Sequence, residues 1–123
     1  MHTYLTTSDI SHSTVSGLGD YYIDSLQKNT HVTTVESTLQ IHSEVDRIYT
    51  HPQSENTLTT PKKTLQLSHQ GQSDVVVWNP WIERSAEIAD MEANDYRHMI
   101  CIETARISKP LFPSDTIGLA IKI

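Results

Sequence analysis

Short runs of alternating apolar and polar residues, separated by polar turns, make up most of the chain. The run Asp-Val-Val-Val-Trp at 74–78 has the strongest strand pattern. Threonine is frequent and favours strands over helix interiors. The polar stretch 27–33 is predicted to be a loop. The other segments predicted to be extended are 2–10, 21–24, 39–50, 58–61, 64–68, 99–107 and 116–123.

One segment departs from this pattern. Glu, Arg, Ala and Ile dominate 81–91, where Ile82, Ala86 and Ala89 fall on one side at helical spacing. This predicts one short helix, and a further helical turn is predicted over 94–97. Turn residues cluster at 16–20, 51–56, 61–63, 70–73 and 110–115. Many short strands with a single helix predict an all-β fold, an antiparallel β-sandwich.

Composition narrows the functional classes. A length of 123 residues suits one domain, and a hydrophobic fraction of 37% suits antiparallel strands with one solvated face. A net charge of −6 opposes a nucleic-acid partner, which would need clustered Lys and Arg. No apolar run is long enough to span a membrane, so no membrane partner is expected. The single cysteine, Cys101, excludes a disulfide within the chain and favours a reducing, cytoplasmic location.

The seven histidines raise the question of a metal site. Metal sites usually show two ligands at close spacing, whereas these histidines are far apart in sequence. The best local group is His42, Glu44 and Asp46, which would share one face if this segment were a strand. A polar strand face turned to solvent or to a ligand explains the same pattern. We therefore do not expect a metal.

Glu103 is the more informative acidic residue. Alternation along 99–103 places it on the same face as Met99 and Cys101. A carboxylate among apolar neighbours loses hydration, which suits a general acid or base near neutral pH. A glutamate at a strand end that points to water fits the pattern equally well. His2 is the other proton-transfer candidate, although a residue so near a terminus is often frayed.

Three further side chains are interpreted as structural. Trp78 and Trp81 could stack on a sugar ring, but large aromatics that follow a valine run usually belong to the core. Arg47 would share a strand face with Val45 and Tyr49, opposite Asp46, and is expected to have a structural role.

Five segments, in order, resemble one family. HTY at 2–4 with SDI at 8–10 resembles "HTYF…VSDI", and VSGL at 15–18 with YID at 22–24 resembles "VSGLEG…YIDK". EVDRIY at 44–49 resembles "GEVDRIY", and DVVVWNPW at 74–81 resembles "DTVVWNPW". DY at 95–96 with MICIE at 99–103 resembles "DEY…MVCVE". The set is similar to the glucose-6-phosphate 1-epimerase-like hexose-6-phosphate mutarotases of the galactose mutarotase-like superfamily, and it extends over nearly the whole chain.

The resemblance implies a site and a reaction. The family interconverts the α and β anomers of hexose 6-phosphates on a large antiparallel β-sandwich, without a metal or an organic cofactor. By resemblance, His2 and Glu103 transfer protons and Asp46 holds sugar hydroxyls. Glu103 would take the proton from the C1 hydroxyl while His2 protonates the ring oxygen O5. The C1–C2 bond then rotates in the open form, and the two residues exchange roles on closure.

The matched segments belong to the C-terminal portion of the family domain, so we expect residues 1–123 to be that portion. The family's N-terminal portion, which supplies basic residues for the phosphate, has no counterpart in this sequence. Open strand edges and apolar faces are therefore expected, together with self-association through them. Two alternatives are a non-catalytic β-sandwich for carbohydrate binding or assembly, and an unrelated small β-barrel that depends on a metal.

Overall fold

The computed structural model describes residues 3–109, 112 and 115–123. Within this part of the chain, eleven strands follow one another: β1 (Tyr4–Thr6), β2 (Thr14–Ser16), β3 (Tyr21–Asp24), β4 (Thr30–Thr33), β5 (Thr38–Gln40), β6 (Val45–Tyr49), β7 (Glu55–Thr59), β8 (Thr64–Gln70), β9 (Asp74–Asn79), β10 (Met99–Ala105) and β11 (Gly118–Lys122). The helix α1 (Trp81–Ala86) lies between β9 and β10, and the 3₁₀ turns are Ile10–His12, Ser25–Gln27 and Asp95–His98.

The strands form two antiparallel sheets. The larger sheet has the order β1-β10-β9-β6-β3-β4, and the smaller one has the order β11-β8-β7-β2-β5. Side chains alternate between the two faces of each strand, so one face of each sheet supplies the core between the sheets. The larger sheet contributes Val75, Val77, Ile100 and Ile102, and the smaller one contributes Val15, Leu58, Leu65 and Leu67. The predicted antiparallel β-sandwich with one short helix is confirmed.

A buried polar bridge joins the two sheets inside this core. Nδ2 of Asn56 donates to the carbonyl oxygen of Gly17 at 2.8 Å, so its Oδ1 faces Nε2 of His69 at 2.6 Å. Nδ1 of His69 lies 2.8 Å from Oγ1 of Thr104, which belongs to the opposite sheet. This orientation makes Nε2 of His69 the protonated nitrogen of a neutral ring. Burial lowers the pKa of His69 because the apolar surroundings disfavour the charged form.

Asn79 explains the Trp-Asn-Pro-Trp segment. Its buried side chain donates to the carbonyl oxygens of Tyr96 at 2.9 Å and Met99 at 2.8 Å, and it accepts the Trp81 N–H at 2.8 Å. Trp81 adopts a φ of 59°, a conformation that is rare for a large side chain. Its ring packs against the core and edge-on to Tyr96 at 5.2 Å. One amide therefore fixes the start of α1 against the beginning of β10.

Three details of the sequence-based prediction are wrong. Residues 30–33, predicted to be loop, form the edge strand β4. Three of its four residues are exposed and polar, so its sequence shows no alternation of apolar and polar residues. β2 was not predicted because only Val15 is buried in its three residues. The helix ends at Ala86 rather than at 91, and Ile82 and Ala86 are exposed while Ser85 is buried. Asn79 and Trp81, rather than an apolar helical stripe, hold this helix.

In addition, two predicted extended segments are interrupted: within the described part of 2–10 the strand is β1 alone, and 39–50 is divided between β5 and β6. Two further predictions are confirmed. The pairing of Thr59 with Thr64 closes the predicted hairpin between β7 and β8, and the helical turn near 94–97 is the 3₁₀ turn Asp95–His98. Most of the turn predicted at 110–115 lies outside the described residues. Across the described part of the chain, no helix is both long and apolar enough to cross a bilayer.

Candidate functional site

The outer face of the larger sheet, which points away from the smaller sheet, carries two of the predicted site residues, Asp46 and Glu103. Directly paired residues of antiparallel strands project to the same side. Four strands thus contribute one row across this face: Tyr4 opposite Cys101, Cys101 opposite Trp78, and Trp78 opposite Asp46. The neighbouring row has Glu103 opposite Val76 and Val76 opposite Ile48. Asp46 and Glu103 therefore share one face, on strands that flank β9.

Both carboxylates are half-buried, and the charge of Glu103 acts on Asp46. Burial raises the pKa of Asp46, and the negative charges of Glu103 and Asp24 raise it further. Trp78 and Val76 lie between the two acids in the pairing pattern. An apolar floor between two hydrogen-bonding carboxylates suits a ligand with an apolar face and hydroxyl edges, as a pyranose has.

Glu103 has a partner on its own strand. The Sγ atom of Cys101 lies 3.0 Å from Oε1 of Glu103. Burial raises the pKa of the Cys101 thiol to about 12, and the adjacent Glu103 carboxylate contributes to the rise. The thiol therefore keeps its proton and acts as a donor to the carboxylate. Alternation places both residues on one face, but the sequence pattern does not reveal the contact between them.

His2, the second predicted proton-transfer residue, lies outside the described residues. The next residue in the chain, Thr3, accepts a hydrogen bond from the Ile102 N–H at 3.2 Å through its carbonyl oxygen. The pairing of β1 with β10 therefore extends at least to Thr3. Its partner Ile102 immediately precedes Glu103.

The predicted common strand face of His42, Glu44 and Asp46 does not form. β6 begins at Val45, so His42 and Glu44 precede the strand and only Asp46 lies within it. Over the described residues, no group of three or more His, Cys, Asp or Glu side chains is arranged to hold a metal ion.

The two tryptophans have different environments. Trp81 packs against the core, as predicted. Trp78 is half-buried on the outer face instead, where its ring meets that of Tyr4 at 6.5 Å and an interplanar angle of 78°. These two rings border an open cleft of about 480 Å³ that Met91, His98 and Met99 also line. The sequence left this aromatic pair unrecognised because Tyr4 and Trp78 meet only through the pairing of both strands with β10.

Arg47 has the structural role predicted for it. It lies on the inner face with Val45 and Tyr49, where its guanidinium donates to the Tyr49 hydroxyl at 3.1 Å. The same group stacks over the Tyr22 ring, 4.1 Å from the centroid. The cation is thus held on the side of the sheet opposite to Asp46 and Glu103.

Comparison with known proteins matches this chain to one family. The family model described as aldose 1-epimerase matches residues 1–122. A protein of Cenchrus ciliaris named "Putative glucose-6-phosphate 1-epimerase" is 34% identical over 113 residues, which cover 89% of this chain and 34% of that protein. A protein of the same name from Haemophilus influenzae is 31% identical over 125 aligned positions, covering 100% of this chain and 44% of that protein.

A solved structure gives the same result. The crystal structure of a "putative mutarotase (YeaD)" from Salmonella typhimurium superposes on this chain with a TM-score of 0.90 and 25% sequence identity. The superposition covers 98% of this chain and 43% of that one. The chain therefore spans less than half the length of these relatives.

Proposed function

Because this chain belongs to the aldose 1-epimerase family, we propose that its outer-face site takes part in interconverting the anomers of a sugar. Hexose 6-phosphates are the proposed substrate class, since the similar curated proteins carry the name glucose-6-phosphate 1-epimerase. The observation that carries the proposal is the placement of Asp46 and Glu103 on one sheet face. Ring opening requires one group that takes a proton from the C1 hydroxyl and one that gives a proton to O5.

Glu103 is the proposed base and His2 the proposed acid. A half-buried carboxylate held by a buried thiol is oriented to accept a proton from a bound hydroxyl. The roles exchange when the ring closes on the other face of C1, so no cofactor is needed to balance the cycle. Each positioned proton-transfer group contributes roughly 10²–10⁴-fold to such a rate.

Asp46 is the proposed anchor for the sugar hydroxyls. Burial and the charge of Glu103 raise its pKa, which reflects incomplete solvation of its carboxylate. A hydroxyl that donates to such a carboxylate supplies the lost hydrogen bonds, so binding is favoured there. The anchor holds the ring while C1 and O5 react at Glu103 and His2.

The experiment is anomer exchange followed by NMR. Freshly dissolved α-glucose 6-phosphate is mixed with the purified chain, and the exchange rate is compared with that in buffer. We expect acceleration that falls by about 10²-fold or more in Glu103→Gln and is preserved in Glu36→Gln, which changes an exposed acid elsewhere. A wild-type rate equal to that in buffer would contradict the catalytic proposal. Saturable quenching of tryptophan fluorescence by the sugar without exchange would instead favour a non-catalytic carbohydrate-binding module.

We also propose that the chain associates with a second copy of itself. β11 is an edge strand of the smaller sheet, and it carries exposed Ile121 beside the exposed Ile123. An edge with open backbone groups and apolar side chains is a template for pairing with another strand. Light scattering over a concentration series should show a dimer that Ile121→Lys weakens. A stable monomer at high concentration would refute this proposal.

A further inference from the structure

Cys101 and Glu103 form a donor–acceptor pair on the outer face. They are two residues apart in β10, so the pleat of the strand directs both side chains to the same side. The Sγ to Oε1 distance is 3.0 Å. Cys101 is fully buried, with Tyr4 and Trp78 opposite it on the two neighbouring strands.

The direction of the hydrogen bond follows from the chemistry of the two groups. An ionised carboxylate has only acceptor sites, whereas a neutral thiol has one proton to donate. Desolvation opposes loss of that proton, and a neighbouring negative charge opposes it again. The thiol is thus fixed as the donor throughout the neutral pH range.

We propose that Cys101 is a positioning residue for Glu103: its S–H group holds Oε1 and sets the orientation of the carboxylate. The inference rests on the proposed function, because Glu103 is the base of that function. Proton transfer depends steeply on the direction from which the acceptor oxygen approaches the hydroxyl. The buried Cys101 sulfur, two residues before Glu103 in the same strand, sets that direction.

Infrared spectroscopy tests the contact without any need for activity. Cys101 is the single cysteine of the sequence, so the protein has one S–H stretching band, and Cys101→Ser identifies it by abolishing it. Donation to an ionised carboxylate lowers the frequency of this band below that of an unbonded thiol. We expect Glu103→Gln to raise the frequency, since a neutral amide oxygen is a weaker acceptor. The matched control Glu44→Gln, which changes another half-buried acid, should leave the band in place.

Anomer exchange tests the consequence of the contact. Cys101→Ala removes the donor, so kcat should fall by about 3- to 10-fold while KM stays nearly unchanged. Cys101→Ser restores a donor and should recover kcat. A change confined to KM, or an equal loss in the Ser and Ala variants, would indicate a packing effect and overturn the positioning role.

The infrared and anomer-exchange measurements distinguish a failure of the Cys101 proposal from a failure of the proposed function. An S–H band at the same frequency in wild type and Glu103→Gln overturns the Cys101 inference, whatever the activity. A shifted band together with wild-type exchange at the buffer rate refutes the proposed catalysis. That second result leaves Cys101 as the structural partner of a non-catalytic glutamate and also overturns its positioning role in the reaction.

Discussion

Asp46 and Glu103 face the same side of the six-stranded sheet, on the two strands that flank β9. The two residues lie far apart in the sequence, and the charge of Glu103 contributes to the raised pKa of Asp46. The charge of Glu103 therefore acts on Asp46, so a change at Glu103 should be measurable at Asp46.

Removal of the Glu103 charge should lower the pKa of Asp46. Glu103→Gln abolishes one of the two repelling charges, while burial, the larger cause, still keeps the pKa above its usual range. Titration of the aspartate side-chain carbons by NMR would measure this shift. Glu92→Gln, which changes an exposed acid, serves as the control. Identical Asp46 curves in wild type and Glu103→Gln would show that the two groups do not interact.

Stability should fall as the pH drops below about 6.5, in part through His69. Burial lowers the pKa of His69 in the folded protein, so the unfolded chain takes up the proton first, near the ordinary value of about 6.5. Between that pH and the folded pKa, the free energy of unfolding should fall by up to about 1.4 kcal/mol per pH unit from this group.

Urea denaturation at several pH values measures this dependence. His69→Gln should lose the His69 contribution to the pH slope, whereas His42→Gln, at an exposed site, should retain it. An unchanged slope in His69→Gln would mean that His69 accepts its proton equally well in the folded and unfolded chains.

Asp74→Asn should destabilise the sandwich by about 2–4 kcal/mol. Burial alone would raise the pKa of Asp74, but hydrogen bonds from Ser73, Ser108 and the Ile107 N–H outweigh burial, and the pKa is lowered. The backbone N–H groups of Ile107 and Ser108 both donate to Oδ2, each at 2.7 Å. If the side-chain NH2 group of asparagine took the place of this oxygen, it could not accept these hydrogen bonds. The stabilisation is present above about pH 3.9 and is lost as the pH falls below that value.

The midpoint of urea unfolding at pH 7 gives the size of this effect. Asp90→Asn, which changes an exposed acid, is the matched control and should stay within about 0.5 kcal/mol of wild type. A wild-type midpoint for Asp74→Asn would show that the loop at 106–109 is not held by this carboxylate.

Gly71→Ala should cost about 1–3 kcal/mol of stability. Gly71 has a φ of +73°, and a Cβ atom there would collide with the carbonyl oxygen of Thr116. Gly118→Ala is the matched control, because no atom lies within 4 Å of the added methyl group. Thermal unfolding of both variants would measure the difference, and equal midpoints would contradict the described turn before β9.

Sequence patterns predicted those elements that are rich in buried apolar side chains. Residues 74–78 and 99–103 carry such side chains because they lie in the middle of the larger sheet, and both segments are strands. In the edge strand β4 only Val32 is partly buried against the core, so its otherwise polar sequence resembles a loop. Helix α1 was predicted too long because its position depends on the Asn79 side chain, a contact that helical spacing does not encode.

The candidate site was predicted residue by residue but not as an arrangement. Motif resemblance singled out Asp46 and Glu103, while their common face depends on how β6 and β10 each pair with β9. The expectation for His42 and Glu44 assumed that the strand begins before Val45. The Cys101 contact could have been found from the two-residue spacing, had the thiol been considered as a donor.

The order of strands in the larger sheet also bears on the rate of folding. β1 pairs with β10, and β9 lies between β10 and β6, so the neighbours of Glu103 come from stretches that are widely separated along the chain. No hairpin can assemble this face alone, and closing such long loops makes folding slow. Asp46 and Glu103 come together only after the distant strands have docked, so sugar binding at this face would report that folding is complete.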